Sequence, residues 1–424
     1  MADSADSGIS GRVAFTYPDF TVYELARFFI VTALEMLSVA VGWQVYEITH
    51  RALDLGLVGL AQFLPGLILF LASGHAADRF DRRKLLLLCY AGFAVCSGLL
   101  LGIAWHGAHS VLPVSVHLIY GVLVLLGSVR SLSGPVSRAI LPELVAEEHF
   151  QNAVAWHSSI FQTATILGPA LGGLIYAAFR SPSPVYATSV AVSVLAFFSA
   201  LRIKPHPRTA PHEAASLHTV LAGFRYIWRQ KVILGSISLD MVAVLLGGAV
   251  ALLPIYAREI LHTGPWGLGL LRSAPGVGAA IMAILVAHRP LRGRVGITML
   301  WFVAAFGVFT IIFGISRNIV VSLIALLLVG ASDMISVIIR GTLVQLATPN
   351  EMRGRVNAVD MLFIGVSNEL GEFESGLTAH WFGTVPAVVL GGVGTLVVIG
   401  LWAWLFPALR NADRFTAAES VEAG

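Results

Sequence analysis

Long apolar segments separated by short polar ones run through this chain of 424 residues. About twelve of them approach the length of roughly 20 residues that an α-helix needs to cross a bilayer. They lie at 20–49, 54–75, 84–106, 112–137, 149–178, 183–202, 232–260, 266–287, 297–315, 319–340, 355–382 and 385–408. The pattern predicts an all-α membrane protein with twelve transmembrane helices.

Composition supports this class of protein. Hydrophobic residues make up 57% of the chain and charged residues 12%, with a mean hydropathy of +0.81. Soluble domains carry about 25% charged residues. The composition therefore excludes an ordinary soluble domain.

A polar stretch at 203–231 divides the twelve segments into two sets of six. We expect a six-helix bundle at 20–202, a second at 232–408, and cytoplasmic tails at 1–19 and 409–424. Within the linker, apolar residues recur at helical spacing beside Arg225 and Arg229. That pattern is typical of an interfacial helix lying on the cytoplasmic leaflet.

A weak internal repeat supports two related halves. The sequence 138–144, RAILPEL, resembles 340–346, RGTLVQL, and each is followed by Asn-Ala-Val, at 152–154 and 357–359. Transporter folds are often built from duplicated bundles.

The distribution of basic residues predicts the orientation. The first nineteen residues lack the basic head and apolar core of a signal peptide, so we expect no cleaved leader. With the N-terminus inside, the outer side keeps only Arg51, Arg180, Arg258 and Arg317. Positive charge prefers the cytoplasmic side. We therefore expect an inner (plasma) membrane protein with both termini cytoplasmic.

Several other functions are not indicated. A pI near 9.0 follows from the positive-inside pattern and attraction to anionic lipids, so it requires no nucleic acid partner. Cys89 and Cys96 would lie roughly 10 Å apart on one helix, too far for a disulfide. We find no metal, redox or ATP-binding motif, and expect no cofactor. Energy for transport would come from a gradient.

The sequence between the second and third apolar segments carries the most specific motif. Its members are Gly74, Asp78, Arg79, Arg82 and Arg83. This pattern resembles the loop 2-3 motif of the major facilitator superfamily, which implies a loop that gates the cytoplasmic side. Asp81 stands where the family usually has glycine, which puts the turn geometry in question. The alternative is that these charges are only positive-inside anchors.

The fifth segment contains a second motif, formed by Gly168, Pro169, Gly172 and Gly173. It resembles the GPxxGG motif of exporters in the same superfamily. Proline bends a helix, and glycines let a neighbouring helix approach closely. Generic tight packing is the alternative interpretation.

Further similarity extends over nearly the whole chain. It includes Leu25 to Phe28, Trp43 to Thr49, Leu221 to Arg225, and Arg353 to Asn357. These residues resemble the drug/proton antiporter branch, that of enterobactin exporters and macrolide-efflux-like proteins.

Charged residues inside the spans are candidates for function, because each costs about 2.5–3.5 kcal/mol near the bilayer centre. The proton-coupling candidates are Glu35, Asp333, Glu369, Glu372 and Asp240. Their candidate charge partners are Arg27, Arg130 and Arg340. The family resemblance implies that spans one, four, seven and ten line a central cavity. Two alternatives are open: Arg27 and Arg340 could snorkel to headgroups, and Asp333 could form a structural ion pair, for instance with Arg130.

Together these features predict a proton-coupled exporter of a small hydrophobic or amphipathic molecule, such as a drug-like compound or a siderophore, working by alternating access. The expected partners are this substrate, protons and membrane lipids, and the protein is expected to be a monomer. One alternative is an uncoupled facilitator or importer of a lipid-like solute. A membrane sensor or scaffold is the other. An enzyme is not expected.

Overall fold

The computed structural model describes residues 11–109, 115–204, 217–289 and 293–412. Within these ranges the regular structure is helical. The first half consists of α1 (Pro18–Thr49), α2 (Ala52–Arg79), α3 (Arg82–His109), α4 (Val116–Leu144), α5 (Phe150–Phe179) and α6 (Ser183–Ala200). The remaining helices are α7 (Leu217–Arg229), α8 (Lys231–Gly247), α9 (Leu253–Ile255), α10 (Gly264–His288), α11 (Val295–Ile315), α12 (Ile319–Ala347), α13 (Asn350–Phe382), α14 (Thr384–Leu405) and α15 (Pro407–Arg410).

Twelve of these segments cross the membrane, as predicted. Eleven helical segments in the described residues are both long and apolar enough to span a bilayer. The twelfth, α13, has 33 residues, but its charged side chains make it less apolar than the others. The two sets of six form the two bundles of the fold.

The bundles meet along two seams. In the first half α1 packs against α5 and α6, and α2 against α4. In the second half α10 packs against α12, and α8 against α13 and α14. The halves contact each other mainly where α5 meets α10 and where α2 meets α13. We call the membrane face where α1 begins and α14 ends the tail end, and the opposite face the far end.

The short helix α7 packs on α13 close to the tail end. Helix α7 contacts α13 directly, and the Tyr226 hydroxyl donates to the carbonyl of Ala347, the last residue of α12, at 2.8 Å. Phe224 and Trp228 are exposed, as are Arg225 and Arg229. A helix is therefore present where the sequence predicts an interfacial one, and its position on a lipid leaflet stays a prediction.

The seventh span differs from the prediction of one helix over 232–260. The α-helix ends at Gly247, and a 3₁₀ turn (Ala249–Leu252), α9 and a π turn (Tyr256–Ile260) follow. Gly247 and Gly248 are poor helix formers, and Pro254 has no N–H to donate. The apolar sequence therefore predicted the span but not this break.

Helix ends at the tail end also differ from the apolar boundaries. Helices α4 and α12 continue past the predicted ends, at 137 and 340, to Leu144 and Ala347. A polar residue ends an apolar run without ending helical hydrogen bonding. For the same reason the predicted loop at 74–84 is mostly helix, and only Phe80 and Asp81 connect α2 to α3. Cys89 and Cys96 are free and buried, as expected.

Candidate transport cavity and its gates

A cavity of about 690 Å³ lies between the two halves. Aromatic side chains of both halves line it, among them Tyr90, Phe93 and Phe306. Seven charged residues line it as well: Arg27, Glu35 and Arg130 from the first half, and Arg272, Asp333, Glu369 and Glu372 from the second. Pockets of 300–1,000 Å³ that are apolar with a few charged groups are typical binding sites for small molecules.

An ion pair connects the halves across this cavity. Arg130 Nη1 on α4 lies 3.9 Å from Glu369 Oε1 on α13, and the exposed fractions of these side chains are 57% and 23%. Arg272 and Glu35 also act electrostatically on Glu369. The suggested partner of Arg130 was Asp333, but the structure pairs it with Glu369. Glu369 and Glu372 have no cation close to them on their own helix. The positive charges near them belong to Arg130 on α4 and Arg272 on α10.

Glycines make room for two of the cavity carboxylates. A Cβ added at Gly168 would lie 2.5 Å from Glu35 Cβ, and one added at Gly59 would lie 2.7 Å from Glu372 Oε2. Both distances are shorter than a van der Waals contact. Glu35 is therefore held at the crossing of α1 with α5, and Glu372 at the crossing of α13 with α2.

The seam between α5 and α10 brings two backbones together near the far end. A Cβ at Gly173 would lie 2.6 Å from the Pro265 carbonyl oxygen and 2.8 Å from Gly269 Cα. Deeper in the membrane, the Ser273 hydroxyl donates to the Ile166 carbonyl at 2.7 Å. Gly168 and Gly172 pack on α1 within their own half. The close packing expected of the exporter-like motif is thus present, and Gly173 belongs to the contact between halves.

The seam between α2 and α13 has the same construction. A Cβ at Gly376 would lie 2.7 Å from Gly56 Cα, and one at Gly56 would lie 3.1 Å from the Phe373 carbonyl oxygen. These residues occupy the start of α2 and the second half of α13. Both seams therefore hold the halves together towards the far end.

Side chains close the far end further, in what we call the far-end latch: Trp43, Tyr46, Arg258 and Glu259. The Tyr46 hydroxyl of the first half donates to Glu259 Oε1 of the second. The Arg258 guanidinium lies 5.9 Å from the Trp43 ring centroid and 6.0 Å from that of Tyr46. The π turn of the seventh span carries both charged members of the latch.

At the tail end, the predicted gating residues make contacts within the first half. Arg82 Nη1 donates to Glu143 Oε1 at 2.6 Å and to the Ala139 carbonyl at 2.9 Å. Arg83 Nη2 donates to the Leu201 carbonyl at 2.7 Å. Asp81 Oδ1 accepts from the Lys84 amide at 3.0 Å, which caps α3.

Asp81, which replaces the glycine usual in this motif, is therefore compatible with the turn, because its side chain stabilises the start of α3. Gly74 and Arg79 lie in the last turns of α2. The side chain of Asp78 lies outside the described residues.

The whole arrangement is a central cavity with charged walls, two bundles and a tail-end motif. Residues 24–372 match the model of the Major Facilitator Superfamily. The chain belongs to this superfamily. Because this family and the structural neighbours of the chain consist of transporters, the chain is a multi-pass membrane transporter.

Relatives match this transporter over almost its full length. It is 30% identical over 423 residues to the enterobactin exporter EntS of Citrobacter koseri, covering 96% of both chains. It is 28% identical over 410 residues to the enterobactin exporter EntS of Escherichia coli O9:H4, covering 93% of this chain and 94% of the relative.

Solved structures share the fold at low sequence identity. A bacterial homologue of the human lysosomal transporter Spinster, in an inward-facing and occupied conformation, has a TM-score of 0.70 and 11% identity, covering 93% of this chain and 97% of that chain. The D-xylose-proton symporter has a TM-score of 0.68 and 17% identity, covering 92% and 98%.

Arg27 of the transporter is fixed by neighbours and does not snorkel. Its Nη1 donates to the His157 carbonyl at 2.7 Å and lies 3.7 Å from Glu24 Oε2, and its guanidinium lies 5.2 Å from the Phe161 ring centroid. The His157 ring is 2.6 Å from Glu24 Oε1. Arg27 therefore belongs to a packed group at the tail end of the cavity.

Asp240 and Arg340 lie outside the cavity lining, in a buried group of the second half. Arg340 Nη1 is 3.3 Å from Asp240 Oδ2 and 3.0 Å from Asp360 Oδ1. Arg340 is 4% exposed, so snorkelling does not describe it. Of the eight charged candidates, the cavity thus brings together six, and these two lie behind it.

Four charged or titratable residues at these sites were missed by the sequence reasoning: Glu24, His157, Arg272 and Asp360. A signal existed for two of them. Arg272 is an arginine inside the apolar segment 266–287, and Asp360 an aspartate inside 355–382. Glu24 and His157 stand near segment starts, where a charged residue is ordinary.

Proposed function

We propose that this transporter is a proton-coupled exporter of a small amphipathic molecule, of siderophore or drug-like chemistry, in the inner membrane. The observation that carries the proposal is the cavity between the halves, lined by carboxylates and arginines of both and closed towards the far end. The tail end would face the cytoplasm, so the cavity would load substrate from there.

Alternating access would follow from the two seams. With the seams closed, substrate reaches the cavity from the tail end. Rocking the halves apart at the seams and at the far-end latch would open the far end. Such a change needs differential binding of substrate or proton in the two states.

Proton exchange would take place on the cavity carboxylates. Glu35, Glu369 and Glu372 lie close enough to interact with one another and with Arg130 and Arg272. Removing or adding a proton there changes which carboxylate an arginine pairs with. A substrate that contacts Arg130 or Glu369 would bind differently in the two protonation states, which is what antiport requires.

The direction and the substrate class rest on separate observations. Gly173, in the exporter-like motif, lies at the seam that must open. The relatives with 28–30% identity are named enterobactin exporters. A cavity of about 690 Å³ whose mostly apolar lining includes several aromatic side chains suits an apolar or aromatic, partly polar solute.

Transport assays in proteoliposomes would test the proposal. A pH gradient is imposed, and enterobactin, macrolides and cationic dyes are offered in turn. We expect uphill transport of at least one compound, abolished in the triple variant Glu35→Gln, Asp333→Asn, Glu369→Gln. Compound binding to the purified variant, and its thermal unfolding, would show that it is folded.

The matched control is Glu374→Gln, on the same helix as Glu369. The Thr378 hydroxyl donates to Glu374 Oε1 at 2.7 Å, a contact within one helix. Coupled transport should survive this change. Flux that continues after the pH gradient is collapsed would instead support an uncoupled facilitator with structural charges.

A further inference from the structure

Behind the cavity, the second half buries a group of charges that the cavity does not need. It consists of Asp240 on α8, Arg340 on α12 and Asp360 on α13, which are 6%, 4% and 9% exposed. The Ser336 hydroxyl donates to Asp240 Oδ1 at 2.8 Å. Asp333, Ser336 and Arg340 follow one another at spacings of three and four residues, so they share one face of α12.

The charges in this group do not balance. Asp240 and Arg340 are the charges that act on Asp333, and they also act on Asp360. The other residues around the adjoining void are apolar or hydroxyl side chains, from α8, α11 and α12. Among the described residues, three aspartates therefore share one arginine. An unpaired ion buried away from water costs several kcal/mol, which favours binding of protons by the aspartates.

A small void adjoins this group and shares lining residues with the transport cavity. It measures about 10 Å³ and is lined by Asp240, Ser332, Asp333 and Ser336, among others. A space of about this size holds one water molecule. Val244, Phe306 and Asp333 line both this void and the transport cavity. Asp333 is the titratable residue of the three, so a proton from cavity water would enter the buried group there.

Arg340 supplies an independent sign that a further polar partner belongs here. Its Nε is buried, and within the described residues it has no hydrogen-bond partner. A buried donor without an acceptor is costly, and an ordered water is the usual solution. Both Asp240 and Asp360 bind the other end of the same guanidinium.

We propose that Asp333, Asp240, Asp360 and Arg340 form a proton-binding site that extends behind the substrate cavity and is entered through Asp333. A proton moves from cavity water to Asp333 and, through a water or the Ser336 hydroxyl, on to Asp240. Only O–H bonds form and break, so the transfer requires no co-reactant. This site deepens the proposed coupling, and only its use in transport rests on that proposal.

The position of Asp360 gives the site a route to the seam. Protonation of Asp240 or Asp360 weakens the bridge that Arg340 makes between α8 and α13. Glu369 and Glu372 lie further along α13, where this helix meets α2. A change at Arg340 can thus alter how α13 sits against the first half without contact with substrate.

Infrared difference spectroscopy on the purified transporter tests the site without any substrate. Protonated carboxyl groups have a C=O band separate from that of carboxylates. We expect this band near neutral pH, and a loss of its intensity in Asp240→Asn and in Asp360→Asn. Arg340→Gln should increase it, because removing the guanidinium that pairs with Asp240 and Asp360 leaves the carboxylates of the site to bind more protons. Glu374→Gln is the control that leaves α8 and the bridge unchanged.

An unchanged band in both aspartate variants would overturn the proposal, since the aspartates would then be ionised and the group a structural ion pair. Loss of the band on adding sodium at constant pH would also overturn it, in favour of a sodium site. The band could respond as expected while the proteoliposome assay detects no gradient-driven transport. That combination would support the proton site and refute the proposed antiport. Arg340→Lys keeps the positive charge, so its band should stay close to that of the unmutated transporter, and this expectation can be tested if Arg340→Gln does not fold.

Discussion

Gly173 sets the distance between α5 and α10. The atoms that a side chain there would meet are backbone atoms of Pro265 and Gly269, which cannot rotate away. We expect Gly173→Ala to cost about 1–3 kcal/mol, as overpacking does, and to force the seam apart. Thermal unfolding and transport assays would both record the loss.

Gly172 provides the comparison for Gly173 on the same helix. A Cβ there would lie 3.0 Å from Met36 Cα, on a helix of the same half. Gly172→Ala should lower stability without separating the halves. If both variants populate the state that is open at the far end equally, the claim that Gly173 sets the distance between the halves is wrong.

Arg82 and Glu143 form an ion pair whose side chains are only 15% and 8% exposed. Removing one partner of such a pair leaves a poorly solvated charge, at a cost of about 3–5 kcal/mol when burial is complete and less here. We expect Arg82→Glu and Glu143→Arg each to lower the unfolding temperature and transport, and the double variant to recover part of both. A double variant no better than the sum of its singles would mean that the pair contributes little.

At the residue scale, the sequence predicted which charges lie in the membrane better than how they pair. Residue type and position within an apolar segment are visible along the chain, so Glu35, Asp333 and Glu369 are among the candidates that the sequence predicts. Pairing depends on which faces of different helices meet. Arg130 therefore reaches Glu369 rather than Asp333, and Arg340 two aspartates on two other helices.

The far-end latch belongs to the element scale, because it joins α1 to the π turn of the seventh span. Tyr46→Phe removes the hydrogen bond to Glu259 and keeps the ring near Arg258. We expect a larger population open at the far end. Electron paramagnetic resonance distances between spin labels at Ile48 and Trp266, both exposed, would lengthen. Cys89 and Cys96 are buried, so labels would react mainly at introduced cysteines.

The control for the latch is Tyr186→Phe. The Tyr186 hydroxyl donates to Gln44 Oε1 at 2.6 Å within the first half. This variant loses a buried hydrogen bond and should leave the label distances unchanged. Equal distances in Tyr46→Phe and the unmutated protein would show that the seams alone close the far end.

At the element scale, apolar length predicted the helices, while local chemistry set their ends. The predicted seventh span was one helix, and two glycines and Pro254 divide it. The predicted loop at 74–84 contains the last turn of α2 and the first of α3, with Asp81 as the cap. A hydropathy pattern reports where a chain is apolar, and a helix ends where its hydrogen bonds end.

Orientation is a property of the whole molecule. We expect an introduced cysteine at Phe80, at the tail end, to resist a membrane-impermeant maleimide in right-side-out vesicles. One at Arg180, at the far end, should react. Both positions are exposed. After permeabilisation both should react, and the reverse pattern before it would place the tail end outside and argue for import.

At the same scale, the twelve-helix fold and its membership of the superfamily were predictable from the chain. Composition, segment lengths and the sequence from Gly74 to Arg83 were sufficient. The conformation was not, because whether α5 meets α10 near the far end or the tail end depends on small energy differences between two packings of one sequence. The same residues serve both states.

The interruption between Gly247 and Ile260 makes the two halves mechanically unequal. Helix α1 runs unbroken from Pro18 to Thr49, so its two ends are held in a fixed relation by continuous helical hydrogen bonds. The segment of the second half that carries Glu259 consists of short helical turns, whose direction a few backbone rotations can change. Opening can therefore start as a local bend that frees Glu259 from Tyr46, before either bundle rotates. The slow step of transport would then be the rotation of the bundles. The first step of opening would be a local change between Gly247 and Ile260, a segment of about a dozen residues.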